Sequence, residues 1–231
     1  MKMSNIRHIF LHSSFSILNL AKITYNKEES IKSCLQKTIP TDEMKRTTKT
    51  SEQTVCLQYY DSPCGEMILG STDGELCLCD WNEMPCATRN KNRLQRLMNA
   101  TFKEEPTDVL RQTMMQLDEY FAGRRKTFSI PLRLTGTDFQ KSVWRALLEI
   151  PYGETRSYKE IAMRVNNLKG VRAVAQAVGA NGMSIIIPCH RVVGSDNSLT
   201  GFAGGLEAKK ILLGIERNTS GNNLFLNISH T

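Results

Sequence analysis

Cys189 is followed directly by His190 and preceded by Ser184-Ile185-Ile186-Ile187-Pro188. A thiol titrates near ~8.5, so at neutral pH it is mostly protonated, and only the thiolate is a competent nucleophile toward carbon. An adjacent imidazole that accepts the proton supplies that activation. Side chains of successive residues on an extended chain diverge, so the sequence predicts a bridging water between the sulfur and His190 rather than direct contact. A carboxylate is then expected on the other ring nitrogen, fixing the tautomer. Glu216, ending an apolar helix of Ala208, Ile211, Leu212 and Ile215, is the candidate. The bland alternative is a structural Cys beside a structural His. A Cys-His hydrolase is a second chemical reading, although no other segment offers a second nucleophile-base pair.

The remaining cysteines, Cys34, Cys56, Cys64, Cys77, Cys79 and Cys86, complete an odd set of 7 without paired metal-ligand spacing. No metal is assigned, and a reducing compartment is expected. Cys77 and Cys79 are two apart, which in a strand puts both on one face as small core residues.

These groups need elements to position them. The three isoleucines predict a buried strand, stopped by Pro188 so that the thiol is presented at its end. Upstream, Thr137 and Gln140 have capping-box spacing before Phe139, Val143, Leu147 and Ile150, predicting a helix from Asp138 to Ile150 that Pro151 and Gly153 break. Ser157 and Glu160 form a second box before Tyr158, Ile161, Ala162 and Val165. After a tight turn from Asn166 to Gly170, Val171, Val174 and Val178 again have helical spacing. Two helices so joined have helix-turn-helix geometry, and Ala173, Ala175 and Ala177 keep the second one thin enough to approach a groove. A plain helical hairpin in a core is the alternative.

The preceding block reads differently. Val55 to Tyr60, Met67 to Ser71 and Leu76 to Trp81 predict strands of a small antiparallel sheet, the last two joined at Asp73-Gly74. Pro106 is expected in the first turn of a helix whose stripe is Leu110, Met114, Leu117 and Phe121, ended by Gly123. The resulting division is an extension over 1–53, an N-terminal α/β domain over 54–135, a C-terminal domain over 136–218 and a tail over 219–231. Within the extension, the polar interruptions of Ile9 to Leu20 argue against a secretory segment, and Met44 is an alternative start.

A chain of 231 residues with 40 % hydrophobic and 23 % charged residues holds a sizeable core, and no apolar run approaches the ~20 residues that span a bilayer. The net charge of +7 suits a polyanion such as nucleic acid.

The run Ile187-Pro188-Cys189-His190-Arg191-Val192-Val193-Gly194 resembles the active-site signature of the O6-alkylguanine-DNA alkyltransferases. The likeness extends through Phe139-Gln140, Val143-Trp144, Ile150 to Thr155, Ser157-Tyr158, Val171 to Val174, Ala180-Asn181 and Leu199 to Glu207. More loosely it includes Tyr60 to Pro63 with Gly65, and Leu117 to Gly123, so that it covers about Gln58 to Arg217. The fold it implies is α/β: a small ribonuclease H-like sheet-and-helix domain, then a mainly helical winged-helix-like DNA-binding domain carrying the cysteine.

The resemblance implies direct, single-turnover transfer of an alkyl group from O6-alkylguanine, and from O4-alkylthymine, in double-stranded DNA to Cys189, without metal or organic cofactor. It makes His190 the water-linked base, Glu216 its orienting acid and Asn181 the brace of the turn before the cysteine. Tyr158 is implied to rotate the target phosphate and donate to the departing base. Lys159 joins it on the DNA, and Arg172 fills the stack left by the flipped nucleotide, with the helix in the minor groove. A monomer without membrane association is implied, cytoplasmic, or nuclear in a eukaryote. Relatives that bind lesions without catalysis lack the acceptor cysteine, which is present here. The chain departs from the usual pattern at Ala175 (usually glycine), Gly182 (usually proline) and Phe202 (often tyrosine). Of these, Gly182 is expected to loosen the turn that Asn181 braces.

Overall fold

Alternating apolar residues and the Asp73-Gly74 turn, both of whose residues have positive φ, give a meander of three antiparallel strands. These are β1 (Gln53–Ser62), β2 (Gly65–Thr72) and β3 (Glu75–Trp81) in the computed structural model, which describes residues 52–220. Nearly all of the extension and of the tail, including Met44, lies outside the described residues; β1 starts at Gln53 and the last helix runs to Ser220.

The sheet is larger than the sequence predicts, and it is mixed. Helix α1 (Pro85–Met98) carries the chain across one face to β4 (Ala100–Glu104), which pairs parallel to β1 and gives the order β3-β2-β1-β4. A parallel neighbour needs such a crossover. α1 buries Ala87, Leu94 and Met98 against Val55, Leu57, Ile68 and Leu78. The opposite face, with Met67, Leu69, Cys79 and Trp81, shares a core with the helices that follow.

Cys77 and Cys79 do not share a face. Gly70 is paired with Leu78 and Ser71 with Leu76, so Cys77 is the extra residue of a bulge. It belongs to the α1 side, whereas Cys79 belongs to the opposite core.

Helix α2 (Asp108–Phe121) starts from Thr107, whose hydroxyl accepts from the Leu110 amide; Pro106 therefore precedes the helix instead of opening it. The buried stripe is Leu110, Thr113, Gln116, Leu117 and Tyr120, rotated from the predicted one, with Met114 and Phe121 at its margin. Gly123, at φ 72°, follows the helix in the left-handed conformation that only glycine adopts without cost.

Both expected capping boxes form. Thr137 opens α3 (Asp138–Leu148), which ends before Ile150, and Ser157 opens α4 (Tyr158–Arg164). A short 3₁₀ turn at Leu168–Gly170 then leads into α5 (Val171–Gly179), completing the helix-turn-helix. Residues Arg156–Ser157 (β5) and Val192–Val193 (β6) pair as a two-stranded parallel ribbon, and α6 (Gly205–Ser220) closes the structure. Among the described residues no helix is long and apolar enough to cross a membrane.

The three isoleucines do not form a strand. The chain turns through Ile185 and Ile186, and Ile185 sits at φ 71°, an unfavourable region for a β-branched residue. Two features hold it there: Ile185, Ile186 and Ile187 are all buried, and the edge of β3 grips the segment. The Cys79 amide donates to Gly182 O at 2.9 Å, and the Ser184 amide donates to Cys79 O at 2.7 Å.

Candidate active site

Cys189 opens a 3₁₀ turn, Cys189–Arg191, so the divergence argument for an extended pair gives way to a tight turn; even so, no hydrogen bond joins its sulfur to the His190 ring. Its sulfur is instead held by Asn181, whose Nδ2 donates to Sγ at 3.1 Å and to Ile187 O at 3.0 Å. The Oδ1 of Asn181 accepts from the Met183 amide at 3.0 Å, so one side chain spans the whole turn between α5 and the cysteine. Burial raises the thiol to about 11, outweighing the lowering effect of Asn181 and of the nearby Lys209 charge. At neutral pH the group is a thiol that needs a base.

His190 is fully buried, and burial holds its pKa below the ordinary imidazole range. Nε2 lies 2.7 Å from Glu216 Oε1, whereas Nδ1 is buried and has no hydrogen-bond partner. An ionised carboxylate only accepts, so Nε2 carries the hydrogen and Nδ1 keeps its lone pair. The nitrogen able to take a proton is therefore Nδ1.

Glu216 is fully buried on the inner stripe of α6, with Ala208, Lys209, Leu212 and Leu213. Burial alone would raise its carboxyl, but hydrogen bonds and charge from His190 and Arg191 overcome this and hold it at about 2. Arg191 Nε and Nη2 donate to the carboxylate at 2.9 and 3.0 Å, the Gly153 amide at 3.0 Å and the Tyr120 hydroxyl at 2.8 Å. Arg191 also donates to Ile150 O at 2.7 Å and lies over the Tyr152 ring. Buried charges are tolerated when paired and hydrogen-bonded in this way.

Sequence reading missed Tyr120, Arg191, Lys209 and the Gly153 amide. Lys209 is fully buried, donates to Val192 O at 2.6 Å and Thr200 O at 2.9 Å, and is drawn down to about 8 by burial. Its signal was available in hindsight: it adjoins Ala208 on α6, whereas Ile211, assigned to the stripe from sequence, is exposed.

The residues expected on DNA stand apart from this network. Tyr158, half-buried at the start of α4, accepts from the Thr200 hydroxyl at 3.4 Å. Lys159 beside it is exposed, as is Arg172 in the first turn of α5. Ala173 is exposed and Ala175 half-buried, so that helix presents a face of small residues. Phe202 stacks edge-on against Trp81 and, more distantly, against His190, keeping an aromatic wall. Gly182 is not simply a looser turn residue: a Cβ there would lie 2.7 Å from Arg93 Nη2, so its small size makes room for α1.

Two family models match the chain. Residues 55–134 fit the 6-O-methylguanine DNA methyltransferase ribonuclease-like domain, and 138–218 fit the DNA binding domain of the same family. Methylated-DNA–protein-cysteine methyltransferases of Haemophilus influenzae and Methanosarcina barkeri are 43 % and 44 % identical, each over 69 % of this chain and over 84 % and 98 % of their own. The constitutive enzyme of that name from Bacillus subtilis is 43 % identical over 70 % of this chain and 96 % of its own. Among solved structures, Mycobacterium tuberculosis OGT in complex with DNA is similar with a TM-score of 0.60 and 38 % identity, over 73 % of this chain and 94 % of that one.

Proposed function

The chain belongs to the 6-O-methylguanine DNA methyltransferase family, and from that premise we propose that it repairs DNA by taking the alkyl group of O6-alkylguanine, and of O4-alkylthymine, onto Cys189. The observation that carries the assignment is the buried sulfur held by Asn181, beside an imidazole whose other nitrogen is committed to Glu216.

The chemistry follows from the partners. The thiol proton passes through a bridging water to His190 Nδ1, and the resulting imidazolium is stabilised by Glu216. The thiolate attacks the alkyl carbon; an S–C bond forms as the C–O bond breaks, and the electron pair leaves on the guanine oxygen. Tyr158 and backbone amides near Cys189 stabilise the departing base, which ends as neutral guanine, the net proton coming from the thiol. Sulfur must reach the carbon in line with the C–O bond, so the nucleotide is extruded from the duplex, and Arg172 fills the gap. The thioether product has no built-in means of removal, so each molecule acts once.

The protein acts as a monomer in the cytoplasm, or in the nucleus of a eukaryote, and neither a metal nor an organic cofactor enters this reaction. Intact-mass measurement after incubation with an O6-methylguanine duplex tests the reading. A gain of one CH2 per chain, mapped to the peptide containing Cys189, is the expected result; no gain, or a gain on another cysteine, refutes it.

A further inference from the structure

Helix α1, absent from the sequence reading, carries Arg89, Lys91, Arg93 and Arg96 and not one acidic residue. Arg89, Arg93 and Arg96 are spaced i, i+4, i+7, which sets them on a single helical face. Together with Thr88, Asn92, Gln140 at the start of α3 and Ala180 just beyond α5, they line an open groove of about 700 Å³. Like charges so close on one helix repel, and Arg93 is lowered to about 10 by burial together with the Arg89 and Arg96 charges, against the opposing pull of the buried Asp80 carboxylate. Unlike the arginine beside Glu216, none of the three has a carboxylate in ion-pair contact among the described residues.

The stripe is built onto the helix that the proposed function places on DNA. Arg89 Nη2 donates to Gly179 O at 2.6 Å and Arg93 Nη1 to Ala180 O at 2.5 Å, so both guanidinium groups sit at the C-terminal end of α5. Arg93 also lies over the Trp144 ring of α3, and Arg89 and Arg96 are exposed at the groove. Repelling cations fixed along a solvent-open groove with no carboxylate in its lining are what a row of phosphates would neutralise.

We infer that the arginine groove of α1 is a second DNA-contact surface, which holds the phosphate backbone of the same duplex beyond the reach of α5. This rests on duplex DNA being the substrate, and it assigns the N-terminal half a part in binding. Phosphate contacts of this kind add affinity and register without reading sequence.

The test compares full-length wild type with Arg89→Gln/Arg96→Gln, measuring duplex affinity against salt with an unmodified duplex. Each lost phosphate contact lowers the slope of log K against log salt by ~0.9, so a fall of about 1.8 is expected, and the wild-type advantage shrinks about tenfold between about 50 and 200 mM salt. The control Lys103→Gln/Arg111→Gln removes the same charge from surface ion pairs with Glu105 and Asp108, and its slope stays at the wild-type value. An unchanged slope in the groove variant, or an equal fall in both variants, overturns the inference. If losing the Arg89 bond to Gly179 lowers the melting temperature, Arg96→Gln alone is read, with an expected fall of ~0.9; an unchanged slope there overturns the inference equally. Absence of salt-dependent duplex binding by the wild type would sink the DNA reading itself, which separates that failure from failure of the groove.

Discussion

Glu216 is hydrogen-bonded by Tyr120, His190, Arg191 and the Gly153 amide, deep in the protein, whereas Arg172 at the start of α5 is exposed and its side chain makes no hydrogen bond or ion pair with a described residue. The first group is fixed before any substrate arrives. The second has its full hydrogen-bonding capacity left for a ligand. A carboxylate locked by four neighbours costs no reorganisation during proton transfer, while an unpaired cation at a helix end is free to follow the shape of a deformed duplex. In the proposed mechanism chemistry and recognition are thus separated: perturbing the locked group should damage transfer from every substrate, and perturbing the free one should damage transfer from duplex alone.

The largest effect expected is at the reacting atom. Cys189→Ala should abolish alkyl transfer and leave duplex affinity near the wild-type value, because the exposed charges lie elsewhere; binding isotherms beside intact-mass measurements check both halves. Loss of duplex binding together with transfer would show that the two functions are not separable.

Next comes the locked carboxylate. Glu216→Gln keeps the shape but leaves Arg191 buried without its counter-charge, and removes the group that stabilises the imidazolium. Transfer should fall by about 10²–10⁴-fold on both duplex and free O6-benzylguanine. The same residue sets an acid limit. Its folded pKa of about 2 lies below its ordinary value, so its stabilisation is complete above that ordinary value, ~4.5, and is lost as pH falls from there through about 2. The amount is on the order of 3 kcal/mol. His190, whose pKa is lowered by burial, acts in the same direction at higher pH: the unfolded imidazole binds its proton first, so stability falls as pH drops below the ordinary histidine range. Melting temperature against pH should decline on acidification in the wild type, with a flatter limb below ~4.5 in Glu216→Gln. Identical limbs would show that Glu216 is not the group titrating there.

Arg172→Ala carries the opposite signature. Unstacking a nucleotide costs a few kcal/mol, and about 1.36 kcal/mol of lost transition-state support is tenfold in rate, so duplex transfer should slow roughly ten- to a thousandfold with free-base transfer unchanged. Single-turnover rates at saturating substrate decide it, and equal losses on both substrates would assign Arg172 to the chemistry. The smallest effect is expected at Tyr120→Phe, which removes one donor to Glu216 and leaves the others. A loss below about tenfold in rate on both substrates is expected, with the acid side of the pH-rate profile moved upward as His190 is left beside a less well-shared carboxylate. An acid limb at the wild-type position would confine Tyr120 to packing.

The two regions were not equally legible in the sequence. Tyr158 and Lys159 open a helix whose capping box, and Arg172 one whose preceding turn, is written within a few residues, so their position at helix starts follows from local pattern. The Cys189-His190 pair is legible as a motif, and Glu216 as the acidic residue that ends the apolar stretch of its helix. Tyr120, 96 residues before Glu216, carries no local mark of its task, because its partner is fixed only when α2 and α6 meet. α1 escaped because its buried apolar residues, Cys86, Ala87, Leu94 and Met98, are few among polar ones, and β4 because Ala100 is its one buried residue. The Ile185 turn runs against propensity: a run of three isoleucines reads as strand, and burial of all three together with the grip of β3 holds the turn.

Gly182 has a consequence for exchanging parts between relatives. A side chain at 182 would meet Arg93 Nη2 at 2.7 Å and Asn90 Cγ at 3.1 Å, and Arg93 could step aside only by releasing Ala180 O and leaving the Trp144 ring. Positions 93 and 182 are therefore coupled by packing, although one belongs to the sheet half and the other to the helical half. A chimaera that joins this sheet half to a helical half with proline at 182 inherits the clash, and its rescue would come from a substitution at Arg93 rather than from any change around the cysteine.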